Sequence, residues 1–207
     1  MKTETQMKFE RIVKSGFQEI LKPLGFKKKG NNFYLQIQDF GHIVNLQKSS
    51  FSSKDHISFT TNVGIFIPEY WNIMYNYHDD DTPSFPTELV CAIRKRIGSL
   101  TGEGDVWFEL NEETMEELIV DKMRQNLRDY ILPYFKSFST RENLIHNLDK
   151  EDIVSSPLAR IIIYGEYNLN EKAKEEYVKL LASRITPAFR QTVKEYGAKY
   201  GIINALN

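Results

Sequence analysis

The sequence has little cysteine, little net charge and no long apolar run, and each shortage excludes a class of protein. The single cysteine, Cys91, cannot form an intramolecular disulfide, so a disulfide-stabilised secreted domain is excluded. The formal net charge is -1, which gives no overall attraction to nucleic acid or to an anionic membrane. No segment approaches the roughly 18 apolar residues of a membrane span, and Met1 to Leu21 lack the apolar stretch of a signal peptide. We therefore expect a cytoplasmic protein without membrane association.

Common catalytic and metal-binding motifs are also missing. There is no Gly-x-Ser-x-Gly elbow and no paired-histidine spacing, and Gly98 to Gly104 match neither nucleotide-binding fingerprint, which makes a hairpin turn the better interpretation. His78 to Asp81 are metal-ligand types, but adjacent loop residues point apart, which favours a solvated acidic loop. Cys91 falls on the apolar side of a predicted strand, as a buried structural thiol would. We predict no catalytic residues, no metal and no cofactor, and favour a protein that is not an enzyme.

The spacing of apolar residues predicts helices at the start, in the middle and at the end of the chain. Residues 5–22 and 112–135 carry apolar side chains at helical spacing, with Asn111 as a candidate N-cap and an end or kink near Pro133. After Ser137 the periodicity is only helical. We therefore divide the chain into an α+β domain, residues 1–138, and a C-terminal helical appendage, residues 139–207.

Between the first two helices the apolar period changes to two. Residues 33–38, 42–50 and 56–67 alternate and are separated by short connections, which predicts an antiparallel meander with one face on the core. Residues 89–97 also alternate, although a helix capped by Thr87 is an alternative, and residues 106–110 suggest a last short strand. The prediction is an α+β fold with an antiparallel sheet of four to five strands and helices on one face.

The second face of this predicted sheet is rich in amides and hydroxyls. Such groups offer both donors and acceptors in a fixed array, which suits recognition of a partner. The alternatives are an ordinary solvated face, or a face covered by the appendage. Lys48 breaks the pattern because it would point into the core unless a bulge or strand end intervenes. The polar side chains are Tyr34, Gln36, Asn45, Gln47, Ser49, Ser58, Thr60 and Asn62, joined by Arg94 and Arg96 if residues 89–97 form a strand.

Charged and aromatic residues near this face extend the candidate site. Lys27 to Lys29 could form a phosphate patch together with Lys48 and the arginines, but the near-zero net charge favours a solvated turn. Trp107 lies in the last predicted strand, where one of two adjacent aromatics faces away from the core. We take as candidate binding residues Gln47, Lys48, Ser49, Asn62, Arg94, Arg96 and Trp107.

Several short motifs occur in order along the chain. They are Leu21–Gly30, Phe33, Gln47–Ser49, Phe59–Gly64, Cys91, Arg96–Gly98 and Asp105–Trp107. Together they resemble the bacterial family known as domain of unknown function 4304 over roughly residues 9–138. A second tryptophan is more usual in that family where this chain has Phe108. The resemblance supports the α+β class and implies no activity.

Three functions remain open at the level of sequence. The leading hypothesis is a non-enzymatic recognition protein that binds a protein partner through the polar sheet face, for example in an immunity- or antitoxin-like role. The alternative is a binder or enzyme for a phosphorylated or nucleotide-like small molecule, held by Arg94, Arg96, Lys48 and Gln47, with Asn62 and Ser49 orienting it. Nucleic-acid binding is a weaker third hypothesis, and the oligomeric state is not given by the sequence.

Overall fold

A computed structural model describes residues 2–151 and 154–202, and it contains an antiparallel sheet that confirms the predicted meander. Neighbouring strands follow the order β1-β2-β3-β4-β5, and β6 also pairs with β4. The predicted α+β class is thus confirmed. The strands are β1 (Lys27–Lys29), β2 (Asn32–Ile37), β3 (Phe40–Lys48), β4 (Ile57–Phe66), β5 (Ile93–Arg96) and β6 (Phe108–Leu110).

Two long helices cover the apolar face of this sheet, as the amphipathic patterns predict. Each contains a π-helical segment, Lys14–Gln18 in the first and Leu127–Ile131 in the second. The second π segment ends at Ile131, two residues before Pro133. Pro133 falls in the first turn of the α-helical segment that follows, where its missing amide hydrogen is tolerated, and the helix continues to Lys136 rather than ending at the proline. Asn111 accepts hydrogen bonds within a turn before the helix, so the predicted N-cap is wrong. The helices are α1 (Glu4–Val13) and α2 (Glu19–Leu21), then α5 (Glu116–Asn126) and α6 (Leu132–Lys136).

The remaining helices are shorter and lie in the connections and the C-terminal part of the chain. They are α3 (Pro68–Met74), α4 (Ile97–Thr101), α7 (Arg141–Leu148), α8 (Ala159–Glu166), α9 (Asn170–Ala182) and α10 (Pro187–Lys199). None of the helices within the described ranges is long and apolar enough to cross a membrane.

The stretch from Gly98 to Gly104 is not the predicted hairpin turn. Strands β5 and β6 lie one after the other along the same edge of β4, so the chain between them does not reverse into a paired strand. Instead α4 forms one short turn of helix and ends at Gly102, whose φ of 77° is left-handed. A Cβ on Gly98 would lie 1.6 Å from the carbonyl oxygen of Gly104, so glycine is required for this close backbone approach.

The segment before β5 resolves the ambiguity over residues 89–97. Glu88–Val90 form a 3-10 turn, and the strand begins only at Ile93. Cys91 is buried, as predicted, but it lies over Gly64 on the face opposite the main core, so the predicted side is wrong. There it joins a small second core with Tyr34, Ile43 and Phe66.

The C-terminal helices attach to one edge and one end of the sheet. Val154 forms a β-bridge with Ile93, and the amide of Ser155 donates to the carbonyl of Ala92 at 2.8 Å. Lys95 forms an ion pair of 2.7 Å with Glu151. The buried core continues from the sheet into these helices, and the division into residues 1–138 and 139–207 stays a prediction.

Candidate functional site

Five polar residues form a straight row across the whole width of the sheet. In consecutive strands Lys29 pairs with Asn32, Asn32 with Asn45, Asn45 with Asn62, and Asn62 with Arg96. Directly paired residues of antiparallel strands project to the same face, so all five belong to the predicted polar face. Four inter-strand spacings of roughly 4.8 Å make the row about 19 Å long. We call these five residues the polar row.

The amides of the polar row and that of Gln47, also on β3, are joined by hydrogen bonds. Nδ2 of Asn62 donates to Oδ1 of Asn45 at 3.3 Å and to Oε1 of Gln47 at 2.8 Å. Nδ2 of Asn45 in turn donates to Oδ1 of Asn32 at 2.9 Å. These bonds hold the side chains in place before any partner arrives, which lowers the entropic cost of binding.

A shallow groove follows the polar row. Two adjoining cavities of about 390 and 570 Å³ share Gln47, Glu88, Arg94 and Arg96 as lining residues. Leu89, which is 65% exposed, lies at the rim of the larger cavity. All the lining residues lie between Asn31 and Asp105, so none of the helices that the structure describes after Ser137 lines this half of the face. We call this feature the polar groove.

Arg94 is held by a carboxylate that comes from the neighbouring 3-10 turn. Its Nε and Nη2 donate to the two carboxylate oxygens of Glu88 at 2.6 and 3.2 Å. The Glu88 carboxylate is buried, and its hydrogen bonds raise the pKa of Arg94. The guanidinium therefore enters the groove with its charge already balanced.

The charge of Arg96 is also balanced by a carboxylate, that of Asp105. Its Nη1 donates to Oδ1 of Asp105 at 2.7 Å, and its guanidinium lies 5.3 Å from the ring centroid of Trp107. Nε1 of Trp107 donates to the second oxygen of Asp105 at 3.0 Å. The bond from Trp107, and then the bond from Arg96, hold the pKa of Asp105 below its usual value. Trp107 thus supports the end of the groove through Asp105 and Arg96.

Two of the predicted site residues lie outside the polar row. Lys48 is at the end of β3 on the apolar face, where Phe59 is its pairing partner, and its Nζ lies 4.0 Å from the ring centroid of Phe9. Burial lowers the pKa of Lys48. Ser49 follows the strand, and its Oγ accepts from the amide of Phe51 in a turn. The strand end resolves the irregularity of Lys48. Lys48 is a lining residue of the larger cavity together with Arg94 and Arg96, although its Nζ lies over Phe9, whereas Ser49 lines neither cavity.

Of the candidate residues, Gln47, Asn62, Arg94 and Arg96 line one cavity and Trp107 reaches Arg96 through Asp105. The structure adds residues that the sequence analysis missed. Lys29 belongs to an exposed edge strand, Lys27–Lys29, and the predicted solvated turn is wrong. Period-two spacing back from Tyr34 would have found Asn32. Glu88 and Asp105 carry no local signal, because they meet the arginines only through the folded connections.

The fold and the groove together define a class: an α+β domain whose antiparallel sheet has helices on one face and a polar groove on the other. A family model described as Domain of unknown function (DUF4304) matches residues 17–137. The chain belongs to this family. No curated protein and no solved structure matches it.

Proposed function

We propose that the protein is a non-enzymatic recognition protein that binds a segment of a partner protein in the polar groove. An immunity- or antitoxin-like role in the cytoplasm is one concrete form of this function. The observation that carries the proposal is the polar row, because its amides are ordered by their own hydrogen bonds and still line an open groove.

The apolar residue at the rim of the groove favours a protein as the binding partner. Leu89 is a large apolar side chain that is exposed beside an array of amides. Protein interfaces combine apolar contacts with direct hydrogen bonds, and Leu89 beside the amides offers both. A groove of this shape accommodates an extended segment or loop rather than enclosing a small molecule.

The charge balance of the arginines disfavours the alternative, a phosphorylated or nucleotide-like ligand. Such a ligand would have to compete with the carboxylates of Glu88 and Asp105, which already accept from Arg94 and Arg96. It would also be repelled by these carboxylates. We therefore place small-anion binding second and nucleic-acid binding third.

Site-specific photo-crosslinking tests the proposal. A photoreactive phenylalanine analogue replaces Leu89 at the rim or, as the control, Leu118 on α5; the two leucines are 65% and 63% exposed. We expect a discrete protein adduct from position 89 in lysate of the native cell and none from position 118. The substitution Asn62→Ala should remove the adduct. Identical adducts from both positions, or an adduct that survives Asn62→Ala, would contradict the proposal.

A thermal-shift screen with nucleotides and phosphosugars tests the alternative. We expect no rise in melting temperature, because ligand binding to the native state raises it by mass action only where affinity exists. A rise that disappears in Arg96→Gln would favour the small-molecule function instead.

A further inference from the structure

The hydrogen bonds among the amides of the groove use donors and acceptors in equal number. Four side-chain amides are joined by three bonds, which occupy three N–H hydrogens and three oxygen lone pairs. An amide has two of each, so within the described residues five hydrogens and five lone pairs stay free. The free groups are of both kinds, because Gln47 keeps its N–H hydrogens while Asn62 donates both of its own and keeps its oxygen. The four amides belong to Asn32, Asn45, Gln47 and Asn62.

The charges at the groove are balanced as well. Three cationic side chains line the smaller cavity, and each forms an ion pair within the protein. Lys48, which lines the larger cavity, has its Nζ over the ring of Phe9 instead. The groove therefore offers donors and acceptors together, without an unbalanced charge in the smaller cavity. The ion pairs are Arg94–Glu88 at 2.6 Å, Lys95–Glu151 at 2.7 Å and Arg96–Asp105 at 2.7 Å.

We propose that the polar groove binds an uncharged segment of the partner protein whose side chains are amides and hydroxyls. This inference rests on the proposed function and specifies the chemistry of the partner. Amides and hydroxyls each donate and accept, so they meet the free N–H hydrogens of Asn32 and Gln47 as well as the free oxygen of Asn62. A segment extended along the polar row of about 19 Å contains about six residues at roughly 3.3 Å per residue.

Segments of other chemistry leave groups of the groove unsatisfied. An apolar segment would exclude water from the amides and leave their free donors and acceptors without partners, which opposes binding. An acidic segment would be repelled by the carboxylates of Glu88 and Asp105, and a basic segment by the cations paired with them. An oligosaccharide also offers donors and acceptors, but it has no apolar side chain for the exposed Leu89 at the rim. The uncharged polar segment therefore fits best.

The test is a titration of the isotope-labelled full chain, followed through the side-chain amide signals of Asn32 and Gln47. The probes are maltohexaose and four acetylated and amidated hexapeptides, in which serine alternates with glutamine, glutamate, lysine or leucine. We expect saturable shifts with the glutamine peptide, whose affinity should change by less than about twofold between roughly 0.05 and 0.5 M salt, because no ion pair contributes. The other three peptides should bind at least about fivefold more weakly, which is the effect of losing one hydrogen bond between uncharged groups.

Two variants and a matched control locate the binding. Gln47→Ala should weaken the glutamine peptide by about three- to tenfold, whereas Gln125→Ala, which removes an exposed amide on α5, should leave its affinity unchanged. Glu88→Gln should strengthen the glutamate peptide by about two- to fivefold, because Arg94 then lacks its carboxylate. An equal loss in the two alanine variants, or no gain for the glutamate peptide in Glu88→Gln, would overturn the proposal.

The remaining outcomes separate this inference from the proposed function. Absence of saturable shifts with the glutamine peptide, or equal or tighter binding of one of the other peptides, overturns the uncharged polar segment. A protein adduct from position 89 would then leave a protein partner of different chemistry in place. Tighter binding of maltohexaose than of the glutamine peptide, together with no adduct at position 89, would indicate a saccharide site and overturn both proposals.

Discussion

The two halves of the polar sheet face are formed by the same strands, but one half is covered and the other is open. In one half Tyr34, Ile43 and Phe66 lie beneath the segment that carries Cys91, and they form a small apolar core. In the other half Asn45 and Asn62 line an open groove. The pairing register of β3 and β4 is uninterrupted between the halves. Strand pairing therefore does not explain why only one half forms a groove. What distinguishes the halves is where the connection before β5 packs.

Two glycines allow the covered half to close. A Cβ on Gly41 would lie 2.3 Å from the ring of Tyr34, and a Cβ on Gly64 would lie 2.6 Å from Sγ of Cys91. Each glycine therefore makes space for a side chain that packs across the strand surface. The 3-10 turn of this connection begins at Glu88, whose carboxylate accepts from Arg94 at the boundary between the two halves.

The largest expected effect on stability comes from overpacking the covered half. Gly64→Ala should lower the free energy of unfolding by about 2–3 kcal/mol, because the new methyl group overlaps Cys91 in a packed site. In a Cys91→Ala background the same substitution should cost less than half as much, since the closest atom is gone. Urea denaturation of the four proteins measures this coupling. An equal cost in both backgrounds would show that the overlap with Sγ is not the cause.

The sequence predicts the two faces well and the closure of one of them poorly. Period-two alternation correctly assigns Asn45, Asn62 and Arg96 to one face, because side-chain direction follows from the backbone alone. The position of Cys91 over Gly64 depends instead on how a loop with a 3-10 turn folds back, and no local pattern encodes it. The bonds of Glu88 and Asp105 to the arginines were missed for the same reason.

The apolar face contains a buried polar side chain, His42, and the second prediction concerns its protonation. His42 is buried, stacks on Phe135, and its Nε2 donates to the carbonyl of Phe138 at 3.0 Å. Burial lowers the pKa of His42 to about 4. Because the folded pKa is below the unfolded value of about 6.5, stability is complete above that value and falls as the pH drops from there toward 4.

Between pH 7 and pH 5 this linkage should remove about 2 kcal/mol from the free energy of unfolding. His42→Gln keeps a donor for Phe138 without a titrating ring, so its stability should change less over the same range. Urea titrations of both proteins at the two pH values measure the difference. If the two proteins lost the same stability on acidification, other groups would be responsible.

The third prediction concerns Glu88, at the boundary between the halves. Glu88→Gln should cost about 1–2 kcal/mol of stability, since it leaves the half-exposed Arg94 without its anion. It should also allow weak binding of inorganic phosphate, because the released guanidinium then lacks a carboxylate partner. Melting curves with and without phosphate test this, with Glu109→Gln as a control carboxylate on the same face. Phosphate stabilisation of the unmodified protein would contradict the charge balance.

The smallest effect on stability, and the largest contrast with the covered half, is expected at Asn62. Asn62→Ala removes two hydrogen bonds, but Asn45 and Gln47 both line the larger cavity of the groove, where water can bond to their freed oxygens. The cost should therefore be about 1 kcal/mol, below that of Gly64→Ala. Binding should suffer more, because the amides of the polar row lose the bonds that hold them in place. Urea denaturation and the crosslinking yield at position 89 measure the two effects. A loss of stability as large as that of Gly64→Ala, with crosslinking unchanged, would mean that both halves of the face are structural.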